Sequence, residues 1–200
     1  GKIMMKKEKI KRGWLLALVF LMILLGSILL YHGRGTLTGG GVLEIQNAGS
    51  SSSCGGIQNT TTLLQNVSSP GTCYTINASN IELNCAGNRI NYSFIGDGGY
   101  GINLSGFTNV TIRNCIVVEG TDNGTAQHGL LLDGNASSIS DHITIANTTI
   151  TVQGTRSQAI AIRNFVNHTN ISSVTITVSG GNGSGIVLTD SHHNLIYYSE

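Results

Sequence analysis

The sequence predicts an all-β solenoid of about five stacked turns, preceded by a single apolar helix. Three observations carry that expectation. A unit built from two short apolar alternations recurs with its first residues at 74, 100, 128, 158 and 184, in steps of 26, 28, 30 and 26. Asn, Ser, Gly or Asp separate the two alternations, and no unit carries a helical period, so stacked units must share one core of strands. The composition also changes sharply near residue 34, from a basic and then apolar stretch to a chain almost free of charge.

Residues 1–13 form a basic segment, with Lys2, Lys6, Lys7, Lys9, Lys11 and Arg12 against Glu8. Residues 14–31, Trp14 to Tyr31, contain no charge. As a helix of about 1.5 Å per residue they span roughly 27 Å, close to the hydrocarbon thickness of a bilayer. A basic flank ahead of such a run predicts a cytoplasmic amino terminus, with everything beyond exported. The run exceeds the apolar core of a secretory signal, so we expect an uncleaved signal anchor. Gly33-Arg34-Gly35 leaves cleavage as the alternative, and Gly1 ahead of Met4-Met5 suggests a native start at one of those methionines. The expected location is therefore the cell membrane, single-pass, with an extracellular carboxy-terminal domain.

Residues 32–53, rich in Gly and Ser, read as a flexible linker. Residues 54–73, with Leu63-Leu64 and the turn Pro70-Gly71, read as a cap over the first open turn, since terminal repeats are expected to be atypical. Residues 74–200 are the repeats. The last unit stops at Tyr197–Glu200 before a third strand, which leads us to expect a natural chain that continues.

Strand alternation assigns faces. The first strands point Ile76 and Ala78, Ile102 and Leu104, Leu130 and Leu132, Ile160 and Ile162, and Ile186 and Leu188 inward. The second strands add Ile81 and Leu83, Val110 and Ile112, Ile143 and Ile145, Val174 and Ile176, and Leu195 and Tyr197. A third inward set is Ile90, Val117, Ile150 and Val152. Asn114 and Asn147 follow the second strand, where an inward amide would bond backbone groups at the bend. Tyr74 and Tyr100 share a register at turn entry, as a structural ladder.

Beyond residue 34 four arginines, Arg89, Arg113, Arg156 and Arg163, face nine acids, a net charge of about −5, and lysine is absent. No basic stripe exists to neutralise phosphates, which excludes a nucleic-acid partner. Solubility must come from Asn, Ser, Thr and Gly, or from sugar attached to them. Twelve of 19 asparagines sit in Asn-x-Ser/Thr acceptors, at Asn59, Asn66, Asn77, Asn91, Asn103, Asn109, Asn123, Asn135, Asn147, Asn167, Asn170 and Asn182. With Ser and Thr at 40 of 200 residues, chance would give about four. We therefore expect a glycosylated outer-surface protein; the plainer account is that solenoid turns favour Asn followed by Ser or Thr.

Cys54, Cys73, Cys85 and Cys115 all lie beyond the expected membrane span, where disulfides persist. Four cysteines allow three pairings, among which sequence does not choose. Cys54–Cys73 with Cys85–Cys115 is the expected one, because it would staple the cap and join adjacent turns. No C-x-x-C pair points to zinc.

The stretch Cys73-Tyr74-Thr75-Ile76, then IELNCAGNRI, then YGINLSGFTNVTIRNC, resembles the right-handed parallel β-helix repeats of prokaryotic surface proteins. It is most similar to CASH-type (carbohydrate-binding/sugar-hydrolase) repeats of archaeal type. The likeness covers roughly residues 54–200 and rests on the cap cysteines, Cys85-Ala86-Gly87 and Arg113-Asn114-Cys115. Asn84 departs from it, where the family commonly has Asp. The resemblance implies a right-handed parallel β-helix but no single function, since that fold hosts lyases, hydrolases, epimerases, adhesins and structural modules.

Hydrolases on this fold need two or three carboxylates over one cleft. One outward row holds Ser105, Asp133, Arg163 and Thr189, so Asp133 and Arg163 are the candidate glycan contact, or else an exposed ion pair of small value. Asp141-His142 and His128-Gly129 resemble fragments of polygalacturonase motifs, but the paired aspartates and Arg-x-Lys are missing and exposed turns account for both. His192-His193 would face opposite ways on a strand. The sequence thus names no catalytic, cofactor or metal residue. It predicts a membrane-anchored surface module for structural, adhesive or glycan-contact roles. The rival is the amino-terminal part of a polysaccharide-processing enzyme of lyase, hydrolase or epimerase type.

Overall fold

The computed structural model describes residues 49–94, 98–120 and 127–199. The expected basic segment, the apolar helix 14–31 and most of the linker lie outside the described residues, as does the acceptor Asn123. Among the described residues no helix is long and apolar enough to cross a membrane.

The described chain is an all-β parallel solenoid of about five coils. Its strands are β1 (Gly49–Ser51), β2 (Gly55–Ile57), β3 (Thr61–Leu63), β4 (Val67–Ser68), β5 (Tyr74–Ile76), β6 (Ile81–Asn84), β7 (Arg89–Tyr92), β8 (Tyr100–Ser105) and β9 (Thr108–Arg113). They continue with β10 (Ile116–Glu119), β11 (His128–Asp133), β12 (Ser140–Val152), β13 (Gln158–Arg163), β14 (Val166–Asn167), β15 (Asn170–Val178), β16 (Ser184–Thr189) and β17 (Leu195–Tyr197). Face one stacks β2, β5, β8, β11, β13 and β16. Face two stacks β3, β6, β9 and the first part of β12, and face three stacks β4, β7, β10 and its second part. All these pairings are parallel. Residues 54–73, expected as a cap, make a short-stranded rung in register with the coil above.

Parallel register puts like residues over like. Ile76, Leu104, Leu132, Ile162 and Leu188 form one inward column, and Tyr74, Ile102, Leu130, Ile160 and Ile186 form its neighbour. Ile90, Val117 and Ile150 line face three and are fully buried. Each such side chain contributes roughly 1.5–3 kcal/mol by leaving water. The column ends in exposed Leu188, over which no described coil stacks.

Three alignments differ from expectation. Tyr74 pairs with Ile102, not Tyr100, and its ring sits inside the core with its hydroxyl donating to the Ser53 carbonyl at 3.0 Å. Val174 and Ile176 belong to face three, opposite Thr148 and Ile150; the inward residue above Ile145 is Ile171. In the last coil the residue in register with Ile171 is Ile196, not Leu195 or Tyr197, and all three are exposed at this end of the described stack. One cause underlies the last two. A left-handed residue at each corner, Ser173 (φ 52°) and His193 (φ 56°), resets the alternation, so counting by twos across it fails.

Asn114 (φ 54°) and Asn147 (φ 48°) do occupy the bend between faces two and three. They bend the chain through the left-handed region rather than reaching inward: Asn147 is exposed, and the Asn114 amide donates to Asn84 Oδ1 at 3.0 Å. That region disfavours most L-residues and is visited most readily by Gly, Asn and Asp.

A seam of small residues fixes the cross-section where faces one and three meet. A Cβ on Gly129 would lie 2.5 Å from Ile150 Cγ2 and 2.6 Å from the Ala159 carbonyl oxygen. A Cβ on Gly101 would meet Val117 Cγ1 and the Gly129 carbonyl oxygen as closely, which explains the Tyr-Gly and His-Gly that open β8 and β11. β13 fits an alanine, Ala159, at this level, and a Cβ on Gly185 of β16 would touch only Ile176 Cγ2, at 3.7 Å.

Candidate functional site

Among the described residues, the corner between faces one and two gathers a cluster of polar and ligand-capable side chains. Left-handed backbone recurs there in five successive coils, at Asn80 (φ 60°), Asn109 (φ 53°), His142 (φ 54°), His168 (φ 48°) and His193 (φ 56°), beside Gly106, Asn164, Phe165 and Asp190, which share the region. The residues just before them stack in register, Thr108 on Asp141, Asp141 on Asn167 and Asn167 on His192. The corner residues therefore form a column along the stack.

Its lower part is an amide ladder, Asn109 Nδ2 donating to Asn80 Oδ1 at 3.0 Å. The upper part is a stack of imidazoles. His142 and His168 have centroids 5.0 Å apart with planes 21° from parallel, and His168 and His193 repeat the 5.0 Å spacing at 11°. His192 meets His193 edge-on at 6.5 Å.

Asp141 ties two of these rings together. Its Oδ2 accepts from His142 Nδ1 and its Oδ1 from His168 Nδ1, both at 2.8 Å. A carboxylate can only accept, so both imidazoles present Nδ1–H to it. Partial burial pushes the Asp141 carboxyl up, but the bonds from His168 and His142 outweigh this and hold its pKa below the ordinary value. Side-chain exposures of 29% for Asp141, 68% for His142 and 51% for His168 leave the group open to solution. The three ligand-capable atoms lie within 4.8 Å of one another. Chemically the corner can present a carboxylate and two nitrogen donors to one point in solvent.

Asp133 and Arg163 are neighbours in the row Ser105–Asp133–Arg163–Thr189. The Asp133 carboxylate is engaged by Asn164, whose Nδ2 donates to Oδ1 at 2.9 Å. Arg163 Nε is buried with no hydrogen-bond partner among the described residues.

His128 is not an exposed turn. It lies buried in β11, stacked on Tyr100 at 5.7 Å, and burial together with the Arg163 guanidinium pushes its pKa down to about 4.

Glu119, which sequence reasoning passed over, is a buried carboxylate that organises a turn. Its Oε2 accepts from the Gln153 and Gly154 amides at 2.7 and 3.1 Å, and its Oε1 from Ser157 Oγ at 3.0 Å. The Tyr92 hydroxyl beside it is pushed toward higher pKa, by burial first and then by the Glu119 charge.

Cys54 pairs with Cys73 and Cys85 with Cys115. Of the acceptor asparagines, Asn59, Asn66, Asn77, Asn109, Asn135, Asn147 and Asn182 are exposed, whereas Asn91, Asn103, Asn167 and Asn170 are half-buried. Beyond β16 an open apolar recess of about 430 Å³ is lined by Ile176, Val178, Gly185, Ile186, Ile196 and Ser199.

Compared with protein-family models, curated proteins and solved structures, the chain matches none.

Proposed function

We propose that the chain is an exported, membrane-anchored solenoid of the right-handed parallel β-helix type, akin to CASH-type surface repeats of archaeal kind. It presents a glycosylated flank for structural, adhesive or glycan-contact roles outside the cell. The observation that carries this reading is the pairing of all four cysteines into bridges, one of which ties adjacent coils. Such bridges persist in oxidising compartments. Seven acceptor asparagines open to solvent support the glycan part of the reading.

The rival, a polysaccharide-processing enzyme, needs two carboxylates over one cleft. The row beside Arg163 supplies one, Asp133.

The test is to express the full chain, tagged at its carboxy terminus, in a glycosylating host. Protease added to intact cells should remove the tag, and enzymatic release of N-glycans should lower the intact mass. A protected tag would refute export; an unchanged mass would refute glycosylation.

A further inference from the structure

We propose that Asp141, His142 and His168 form a binding site for one divalent transition-metal ion, of the class that takes imidazole and carboxylate together, with Zn²⁺ as its probe. The site would draw on two successive coils, with His193 stacked beyond it.

The donor set points to this class. Imidazole nitrogen suits Zn²⁺, Cu²⁺ and Ni²⁺, whereas Ca²⁺ and Mg²⁺ prefer oxygen alone. Two nitrogens and one carboxylate oxygen give three protein ligands, and the exposure of all three side chains leaves a fourth position to water. The geometry is nearly assembled. Metal–ligand bonds of about 2.0–2.2 Å place tetrahedral ligand atoms about 3.3 Å apart. The 2.8 Å contact to whichever Asp141 oxygen ligates would thus open by about half an ångström, and the remaining ligand pairs, none wider than 4.8 Å, would close by at most about 1.5 Å. Half-exposed side chains make that adjustment by small rotations. For the ion to enter, each neutral imidazole changes tautomer: the proton on Nδ1 passes to solvent while Nε2 takes one up, which frees the Nδ1 lone pair with no net proton release.

The corner's own needs do not explain the histidines. Its requirement is left-handed backbone, which Asn80 and Asn109 already meet in the two lower coils. Asn enters that region at least as readily as His. The change to histidine at three consecutive levels, with the Asp141 carboxylate bonded to the first two rings, adds metal-binding chemistry that a bend does not use. The histidines are 26 and 25 residues apart in the chain, so only coiling brings them together.

The experiment is equilibrium dialysis of the detergent-solubilised full chain against Zn²⁺, for the native chain, D141N, H168Q and the double variant H142Q/H168Q. His128→Phe serves as a control that removes a histidine outside the corner. The native chain and H128F should bind one tight equivalent. D141N and H168Q should each weaken it about 10- to 100-fold, the scale of lost coordination support, and the double variant should abolish it. Equal binding by native and double variant would overturn the proposal, as would the lack of a tight equivalent on the native chain. Should a variant misfold, Zn²⁺ protection of the native chain from diethyl pyrocarbonate decides instead. Selective protection of His142 and His168 supports the site; equal modification with and without Zn²⁺ refutes it.

Discussion

Replacing His128 by Phe isolates one pH-dependent contribution to stability. His128 sits buried at the start of β11, its ring stacked on Tyr100 and its Nδ1 without a partner among the described residues. Burial, then the charge of Arg163, hold its folded pKa at about 4, against 6.5 for a free imidazole. Between those values the unfolded chain takes up a proton that the folded chain refuses. Stability is therefore fully present above pH 6.5 and declines as pH falls toward 4. The difference between these values corresponds to about 3 kcal/mol in all, of which about 2 kcal/mol is lost by about pH 5. Phe keeps an aromatic ring against Tyr100 but does not titrate. Urea unfolding of both chains at about pH 7.5 and about pH 5 should show H128F gaining about 2 kcal/mol on the native chain between the two conditions. All other ionisable groups are common to both chains and cancel in the comparison. A relative gain below about 0.5 kcal/mol would refute the reasoning, because it would mean that His128 is protonated in the folded chain near its ordinary pKa.

Further outcomes can be measured by the same unfolding curves. The Cys85–Cys115 bridge spans 30 residues, so C85A/C115A should lose about 3–4 kcal/mol through the freed unfolded chain; a loss under about 1 kcal/mol would count against that mechanism. Glu119→Gln turns an amide donor toward groups that themselves donate and should cost about 2–3 kcal/mol; an unchanged midpoint would remove Glu119 from its role in the turn. Gly129→Ala should cost about 1–3 kcal/mol because its Cβ meets a backbone carbonyl that cannot rotate aside, and a neutral result would show the small-residue seam to be slack.

The repeat and its inward columns were legible because stacking demands the same residue type at the same level. Ile102, Leu130 and Ile160 could be aligned by eye, and the structure pairs them. Register was harder. Tyr74 opens a segment that looks like Tyr100 and its followers, yet it sits two residues further along the coil, level with Ile102. Polarity hid Ile171, flanked by Asn170 and a Ser pair that read as a turn. The histidine corner was not legible at all. Asp141-His142, His168 and His192-His193 each look like unremarkable turn residues, and counting them as strand residues sends neighbouring side chains to opposite faces. Only the left-handed backbone at each corner turns His142, His168 and His193 the same way. Glu119 was hidden for a different reason: its partners, at 153, 154 and 157, lie a full coil later.

The parallel pairing of the coils has a mechanical consequence. Hydrogen bonds between coils run along the stack, so a pull applied to its two ends loads them one rung at a time, as in unzipping, and never all together. Each coil of 26–30 residues that peels away would add roughly 90–100 Å of extended chain. The bridge between Cys85 and Cys115 withholds its 30 residues from that extension for as long as it stays oxidised. A solenoid of this construction yields in steps, and the thiol–disulfide state of its surroundings sets how far it can be drawn out.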